Sequence, residues 1–71
     1  MSVEVLAPIT GNLWKIVKEV GDEVDEFEPI MIIESMKMEV PVEAPQKGKV
    51  AEIKCAEGDS IIEEDVVAIL E

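Results

Sequence analysis

Histidine, arginine and tyrosine are absent from this 71-residue sequence, and only one cysteine is present. Without histidine, the chain has no His-based general acid or base, no Ser-His or Cys-His nucleophilic pair, and few means of binding a transition metal. Cys55 has no second cysteine with which to form an internal disulfide. Its strand-like context beside Ile53 indicates that it serves packing rather than chemistry.

Positive charge and long apolar runs are also scarce. The longest stretch without a charged residue lies between Glu4 and Lys15, contains Pro8 and Gly11, and is too short to span a bilayer. No basic region followed by an apolar one opens the chain, so no signal peptide is predicted and a cytoplasmic location is expected. With 17 acidic residues against 6 lysines, the net charge of −11 disfavours nucleic acids and anionic membrane surfaces as partners.

Carboxylates are so abundant that no pair of them stands out as a site. The run Glu63-Glu64-Asp65 offers oxygen ligands for a hard cation. It has neither the glycine nor the spacing of a calcium-binding loop. We interpret it as a solvated turn.

What the sequence does contain is a duplication. When the chain is shifted by 37 positions, residues 3–34 align with residues 40–71 without a gap, and the four glycines fall into two pairs. The matches include Val3 with Val40, Ala7-Pro8 with Ala44-Pro45, Gly11 with Gly48, Gly21-Asp22 with Gly58-Asp59, and Ile32 with Ile69. Only residues 35–39 lie between the two copies, and Lys37 is the middle residue of that stretch.

Each copy predicts four short strands. Valine and isoleucine supply 19 of the 71 residues, which favours β-structure. The stretch Val3-Glu4-Val5 alternates with period two, and Ile30 to Ile33 form a branched apolar run typical of a buried strand. Residues 61–70 also fit one face of a helix, but Pro29 in the first copy aligns with the middle of that segment, so a strand is predicted.

Two copies of a four-strand unit predict one all-β domain over residues 1–71. We expect a flattened barrel or sandwich of two four-stranded antiparallel sheets with an internal pseudo-two-fold, that is, a barrel-sandwich hybrid. Trp14, Phe27 and the isoleucines are expected in its core. The linker between the copies must cross near the pseudo-two-fold axis, which places Lys37 at the tip of a hairpin.

The residues at this tip do not suit a tight turn. Two-residue hairpins favour Asn-Gly, Asp-Gly or a glycine, because their central residues need positive φ. Met36-Lys37-Met38 offers none of these, and two exposed methionines would form an adaptable apolar contact surface. A conflict between local chemistry and global fold is expected where function overrides stability. Considered alone, however, a lysine on a turn is also explained as a solvated charge.

The order of residues around the tip carries a family resemblance. Glu34-Ser35-Met36-Lys37-Met38-Glu39 resembles the attachment hexapeptide of biotinyl domains, the carrier modules of biotin-dependent carboxylases and decarboxylases. Ala7-Pro8, Gly11, Gly21-Asp22 and their counterparts in the second copy also lie where that family has them. The stretch Gly11-Asn12-Leu13-Trp14-Lys15 is similar to short, free-standing biotin/lipoyl attachment proteins. Lipoyl domains share the fold but more often carry Asp-Lys-Ala at the tip.

Some family members insert a protruding thumb loop within the first copy. Because the two copies here align without a gap, no thumb is predicted. This departs from the carrier subunit of typical multi-subunit bacterial acetyl-CoA carboxylases. Carriers of propionyl-CoA or pyruvate carboxylases, and of sodium-pumping decarboxylases, more often lack the thumb.

The resemblance implies a non-catalytic carrier. A biotin protein ligase would attach biotin to Lys37, which would then carry carboxybiotin between biotin carboxylase and carboxyltransferase sites. Met36 and Met38 would be docking contacts, Glu34 and Glu39 would orient partners electrostatically, and Ser35 would complete the recognition sequence. Two alternatives remain open, namely lipoylation of Lys37 for a 2-oxoacid dehydrogenase-type complex and an unmodified barrel-sandwich scaffold.

Overall fold

The computed structural model describes residues 2–71, which form eight β-strands joined by turns. The strands are β1 (Val3–Leu6), β2 (Gly11–Ile16), β3 (Glu23–Val24), β4 (Pro29–Ser35), β5 (Met38–Glu43), β6 (Gly48–Ile53), β7 (Ser60–Ile61) and β8 (Val66–Leu70). They form two four-stranded sheets in the orders β1-β8-β6-β3 and β5-β4-β2-β7, and their paired strands are antiparallel. The predicted all-β fold of two four-stranded antiparallel sheets is confirmed. Within this part of the chain no helix is present, and therefore none that could cross a membrane.

The duplication is visible in the sheet order and in the hydrogen bonds. Moving each strand to its counterpart in the other copy turns the order β1-β8-β6-β3 into β5-β4-β2-β7, which is the second sheet. The turn hydrogen bonds repeat as well: Gly21 N donates to Val50 O at 2.8 Å and Gly58 N to Leu13 O at 2.7 Å. Each copy supplies two strands to each sheet, so neither copy forms a complete sheet by itself.

The core lies between the two sheets and is filled by aliphatic side chains and one methionine. Its members are Val5, Ala7, Leu13, Val24, Ile30, Met31, Ile33, Val42, Ala44, Val50, Ile61, Val67, Ala68 and Leu70. No polar or charged side chain is buried among residues 2–71. Burial of this apolar surface is the main stabilising contribution to a domain of this size.

The expectation that Trp14 and Phe27 lie in the core is wrong. Trp14 is 49% exposed because it follows the buried Leu13 in β2, so alternation points its side chain to the solvent face. The β-bulge between Leu13 and Lys15 leaves Lys15 exposed as well and returns Ile16 to the inner face. Phe27 is 65% exposed because it lies in the turn between β3 and β4. Among the isoleucines, Ile62 is also an exception, at 63% exposed in the equivalent turn of the second copy.

Four acidic residues help to form the turns. In the first copy Asp22 Oδ2 accepts a hydrogen bond from Glu19 N and Glu28 Oε1 accepts one from Asp25 N, both at 2.9 Å. In the second copy Asp59 Oδ2 accepts from Ala56 N at 2.9 Å and Asp65 Oδ2 from Ile62 N at 3.0 Å. The run 63–65 is an exposed turn, as predicted, and the carboxylate of Asp65 closes it.

The molecule is elongated, with principal extents of 33 × 18 × 17 Å. The tip of the β4–β5 hairpin is formed by residues 35–39, which connect the two copies and belong to neither. The pseudo-two-fold relates this region to the two ends of the chain, where Val3 pairs with Leu70. We call the two regions the hairpin end and the terminal end.

Candidate functional site

Lys37 occupies a two-residue turn at the tip of the β4–β5 hairpin. Ser35 pairs with Met38 at the end of the ladder, and Glu34 pairs with Glu39 one step below. Only Met36 and Lys37 remain between the paired residues. The predicted position of Lys37 at a hairpin tip is confirmed.

The backbone of this turn lies in the left-handed region. Met36 has φ of 51° and Lys37 has φ of 68°, which a type I′ hairpin turn requires at both central positions. Left-handed backbone costs an L-residue with a Cβ about 1–2 kcal/mol. The turn therefore retains side chains that make the fold less stable than Asn-Gly would, as expected where a residue is kept for a role other than folding.

The side chains of the tip project into solvent. Met36 is 92% exposed, Met38 is 66% exposed, and Lys37 is also exposed. The ion pairs of the described chain join Lys18 to Glu28 and Lys54 to Glu52, so the amine of Lys37 takes part in neither. The Lys37 side chain therefore faces solvent and is held by neither ion pair.

Two carboxylates lie on either side of the hairpin stem. Glu34 and Glu39 are directly opposite each other on β4 and β5, and both are exposed. Like charges at directly opposed positions destabilise a strand pair, by at most about 1 kcal/mol. They also place negative charge beside Lys37, which favours partners with positive charge around their active site.

Gly11 allows β2 to lie close against the stem. A Cβ built on Gly11 would overlap the carbonyl oxygen of Glu34 and lie 2.8 Å from Cγ2 of Ile33 and 3.1 Å from Cβ of Ser35. Any larger residue must push the stem away. The sequence repeat paired Gly11 with Gly48 but did not connect Gly11 with the site. The signal that a close backbone approach requires glycine here was the placement of this residue in a strand, where glycine is unfavourable.

The structure therefore brings the six residues 34–39 together at one end of the molecule. Glu34 and Glu39 form the stem, Ser35 and Met38 close the ladder, and Met36 and Lys37 form the turn. Of these side chains only that of Ser35 is half-buried; the others are exposed.

Cys55 lies apart from this site, at the edge of the core. Its Sγ is 3.8 Å from Sδ of Met31 and 3.8 Å from the carbonyl oxygen of Val67. Burial, with a smaller contribution from the charge of Asp59, raises the pKa of the Cys55 thiol above its usual range. A protonated, half-buried thiol packed against the core is a poor nucleophile, which agrees with the packing role predicted for it.

Comparison with known proteins gives relatives of two kinds. Short relatives include the biotin/lipoyl attachment protein of Bacillus subtilis, 44% identical over 59 residues that cover 83% of this chain and 81% of that protein. A biotinylated protein TB7.3 homolog of Mycobacterium leprae is 33% identical over 70 residues and covers 99% of both chains.

The other relatives are large enzymes in which the similar region is a small part. The propionyl-CoA carboxylase alpha chain of Ruegeria pomeroyi is 41% identical over 63 residues, which cover 89% of this chain and 9% of that protein. The crystal structure of urea carboxylase from Kluyveromyces lactis matches with a TM-score of 0.95 and 37% identity over 100% of this chain and 6% of that one.

A family model described as "Biotin-requiring enzyme" matches residues 1–70, nearly the whole chain. The chain has the fold of a region of urea carboxylase, with a TM-score of 0.95, and carries a lysine at the tip of its central hairpin. The sequence comparison and the structure comparison therefore agree. The chain belongs to the biotin/lipoyl family of biotin-requiring enzymes.

Proposed function

We propose that residues 1–71 form one biotin carrier domain and that Lys37 is the residue to which biotin is attached. The observation that carries this proposal is the position of Lys37, exposed on the outermost turn and outside both ion pairs described above. Biotin supplies a ring nitrogen that accepts and releases a carboxyl group. The carrier supplies the position of that group and catalyses neither transfer.

The Nζ of Lys37 fits the chemistry of attachment. As a neutral amine it attacks the activated carboxyl carbon of biotinyl-adenylate, forms an amide bond and displaces AMP. The amine loses a proton as the amide bond forms, so a biotin protein ligase must take up that proton. The hairpin contributes exposure and a fixed direction of approach.

The rigid scaffold limits the volume that the attached group explores. A lysine–biotin arm on a fixed turn makes the encounter with each active site of an assembled complex partly intramolecular. Short links of this kind produce effective concentrations in the range of roughly millimolar. We propose biotin carboxylase and carboxyltransferase components as the partners, in the cytoplasm.

The flanking residues act in recognition. The thioethers of Met36 and Met38 are exposed and flexible, which suits contact with several differently shaped enzymes. Glu34 and Glu39 guide partners that carry positive charge, and Ser35 keeps the turn compact beside Gly11.

The attachment chemistry is tested by intact mass. The purified protein is incubated with ATP and either biotin with a biotin protein ligase or lipoate with a lipoate ligase. We expect a mass gain of one biotinyl group and no gain with lipoate. Exclusive lipoylation would show a lipoyl carrier instead, and no gain in either reaction would support an unmodified scaffold.

Met36→Asn is expected to separate stability from recognition. Asparagine tolerates the left-handed backbone at position 36, so the free energy of unfolding should rise by about 0.5–1 kcal/mol. Loss of the exposed thioether should lower kcat/KM of the ligase. Urea unfolding and initial rates of biotinylation measure the two effects.

Met38→Ala is the matched control, because Met38 is exposed but lies in the extended backbone of β5. It should lower the ligase rate while changing stability by less than about 0.5 kcal/mol. A large loss of stability in Met38→Ala would show that this methionine is a packing residue.

A further inference from the structure

The duplication provides an internal comparison for every exposed residue. The turns of residues 19–28 and 56–65 contain the same hydrogen bonds between backbone amides and carboxylates, with lengths of 2.9–3.0 Å. Backbone bonds agree as well: Phe27 N donates to Ala44 O at 2.8 Å and Glu64 N to Ala7 O at 2.9 Å. A side chain that differs between the copies is therefore not required by the backbone that carries it.

Four exposed apolar residues of the first copy have charged counterparts in the second: Leu6, whose counterpart is Glu43, and three residues between β2 and β4. Val17, Val20 and Phe27 are 43%, 61% and 65% exposed. Their counterparts are Lys54, Glu57 and Glu64, all exposed. We call these three residues together the Phe27 face; the ion pair of Lys18 with Glu28 joins the segment that carries Val17 to the one that carries Phe27. In the second copy the equivalent segments form the same hydrogen bonds with charged residues at these positions. The fold therefore does not require apolar residues there.

Phe27 is unfavourable in two ways within the isolated chain. Its φ of 68° lies in the left-handed region, which disfavours residues with a Cβ, and its ring remains mostly in water. Glu64 takes a φ of 74° at the equivalent position, so the turn itself imposes this conformation. A protein surface that covers the ring would recover the apolar burial that the chain itself does not provide.

The surroundings of the Phe27 face are acidic. The segment of residues 17–28 that carries it contains six acidic residues: Glu19, Asp22, Glu23, Asp25, Glu26 and Glu28. The nearby Lys18 is bound to Glu28 at 2.9 Å, and this ion pair joins the two ends of the segment. The hydrogen bond from Asp25 N, together with Lys18, lowers the pKa of Glu28, so its carboxylate stays ionised. A partner must therefore offer an apolar pocket bordered by lysine or arginine.

The Phe27 face also lies away from the attachment site. Phe27 N donates a hydrogen bond to the carbonyl oxygen of Ala44, just after the end of β5. Lys37 lies just before the start of the same strand. A strand of six residues spans about 20 Å at 3.3 Å per residue. A protein bound to the Phe27 face leaves the hairpin free to reach an active site.

We propose that the Phe27 face anchors the carrier to a subunit of its carboxylase complex, through an apolar pocket with a basic border that takes up the ring of Phe27. This rests on the proposed carrier function, because it assigns the partner to that complex. The anchor holds the domain in the complex, and the hairpin at the other end presents Lys37.

Phe27→Gly tests the anchor with opposite effects on two measurements. Glycine accepts the left-handed backbone, so the melting temperature should rise or stay unchanged. Affinity for the purified biotin carboxylase or carboxyltransferase subunit from the same cell, measured by calorimetry with the unbiotinylated protein, should fall at least tenfold for one of them. The rate of biotinylation by the ligase should not change.

Two further variants control for charge. Phe27→Glu installs the residue that the second copy uses in this turn and should weaken binding like Phe27→Gly. Ile62→Asp also replaces an exposed apolar residue by the charged residue of the other copy, Asp25, but it does so in the equivalent turn at the hairpin end. This variant should leave the affinity for both subunits unchanged. Unchanged affinity for both subunits in the Phe27 variants, or an equal loss in Ile62→Asp, would overturn the anchor.

The carrier proposal and the anchor fail separately in these experiments. Absence of biotin on Lys37 in the intact mass refutes the carrier proposal. Affinity is measured without biotin, so loss of the anchor appears only in the calorimetry of the Phe27 variants.

Discussion

Lys37→Arg is expected to abolish biotin incorporation and to leave the fold intact. The guanidinium group stays protonated in proteins, so it has no free amine to attack the activated carboxyl group. The substitution keeps the positive charge and a long side chain on an exposed turn. The free energy of unfolding should therefore change by less than about 0.5 kcal/mol.

The measurement is incubation with a biotin protein ligase, followed by a streptavidin blot and intact mass. Lys47→Arg is the matched control, because Lys47 is an exposed lysine in the loop between β5 and β6 at the terminal end. This variant should be biotinylated like the parent. A streptavidin signal from Lys37→Arg would show that another lysine accepts biotin.

Gly11→Ala is expected to be strongly destabilising despite the small size of alanine. The added methyl group would overlap the backbone carbonyl oxygen of Glu34, which has no freedom to rotate away. Relief requires β2 to separate from the hairpin stem, at a cost of about 2–3 kcal/mol. Since the displaced residues adjoin Lys37, biotinylation should also slow. Urea unfolding and the initial rate of the ligase reaction measure both effects.

Gly48→Ala provides the comparison within the same molecule. Gly48 is the counterpart of Gly11, but its nearest neighbour would be the carbonyl oxygen of Glu71 at 3.0 Å, just beyond the end of β8. This approach is a tight contact rather than the overlap found at Gly11, so the loss should stay below about 1 kcal/mol. Equal losses for the two variants would show that the approach of β2 to the stem is not what requires Gly11.

The duplication made most of the fold predictable. The alignment of residues 3–34 with residues 40–71 carried information that periodicity alone did not, because Pro29 decided between strand and helix for residues 61–70. The position of Lys37 followed from the same symmetry, since a linker between two copies must lie near their axis. The structure agrees on both points.

The surface was harder to predict than the core. Trp14 was misplaced because its apolar ring was taken as a sign of burial, whereas alternation from the buried Leu13 puts it on the outer face of β2. Phe27 was misplaced because an aromatic residue in an apolar sequence was assumed to be buried. Its counterpart Glu64, a charged residue in the same turn, was the signal that this position faces solvent.

The exchange of strands between the copies makes the shape of the hairpin depend on the whole domain. β8 is a central strand of its sheet, between β1 and β6, and β7 borders β2 in the other. A ribosome-bound chain that has exposed Lys37 but not yet residues up to Leu70 lacks the support that holds the hairpin in shape. The hairpin that presents Lys37 therefore takes its final shape only when the strands of both copies are in place.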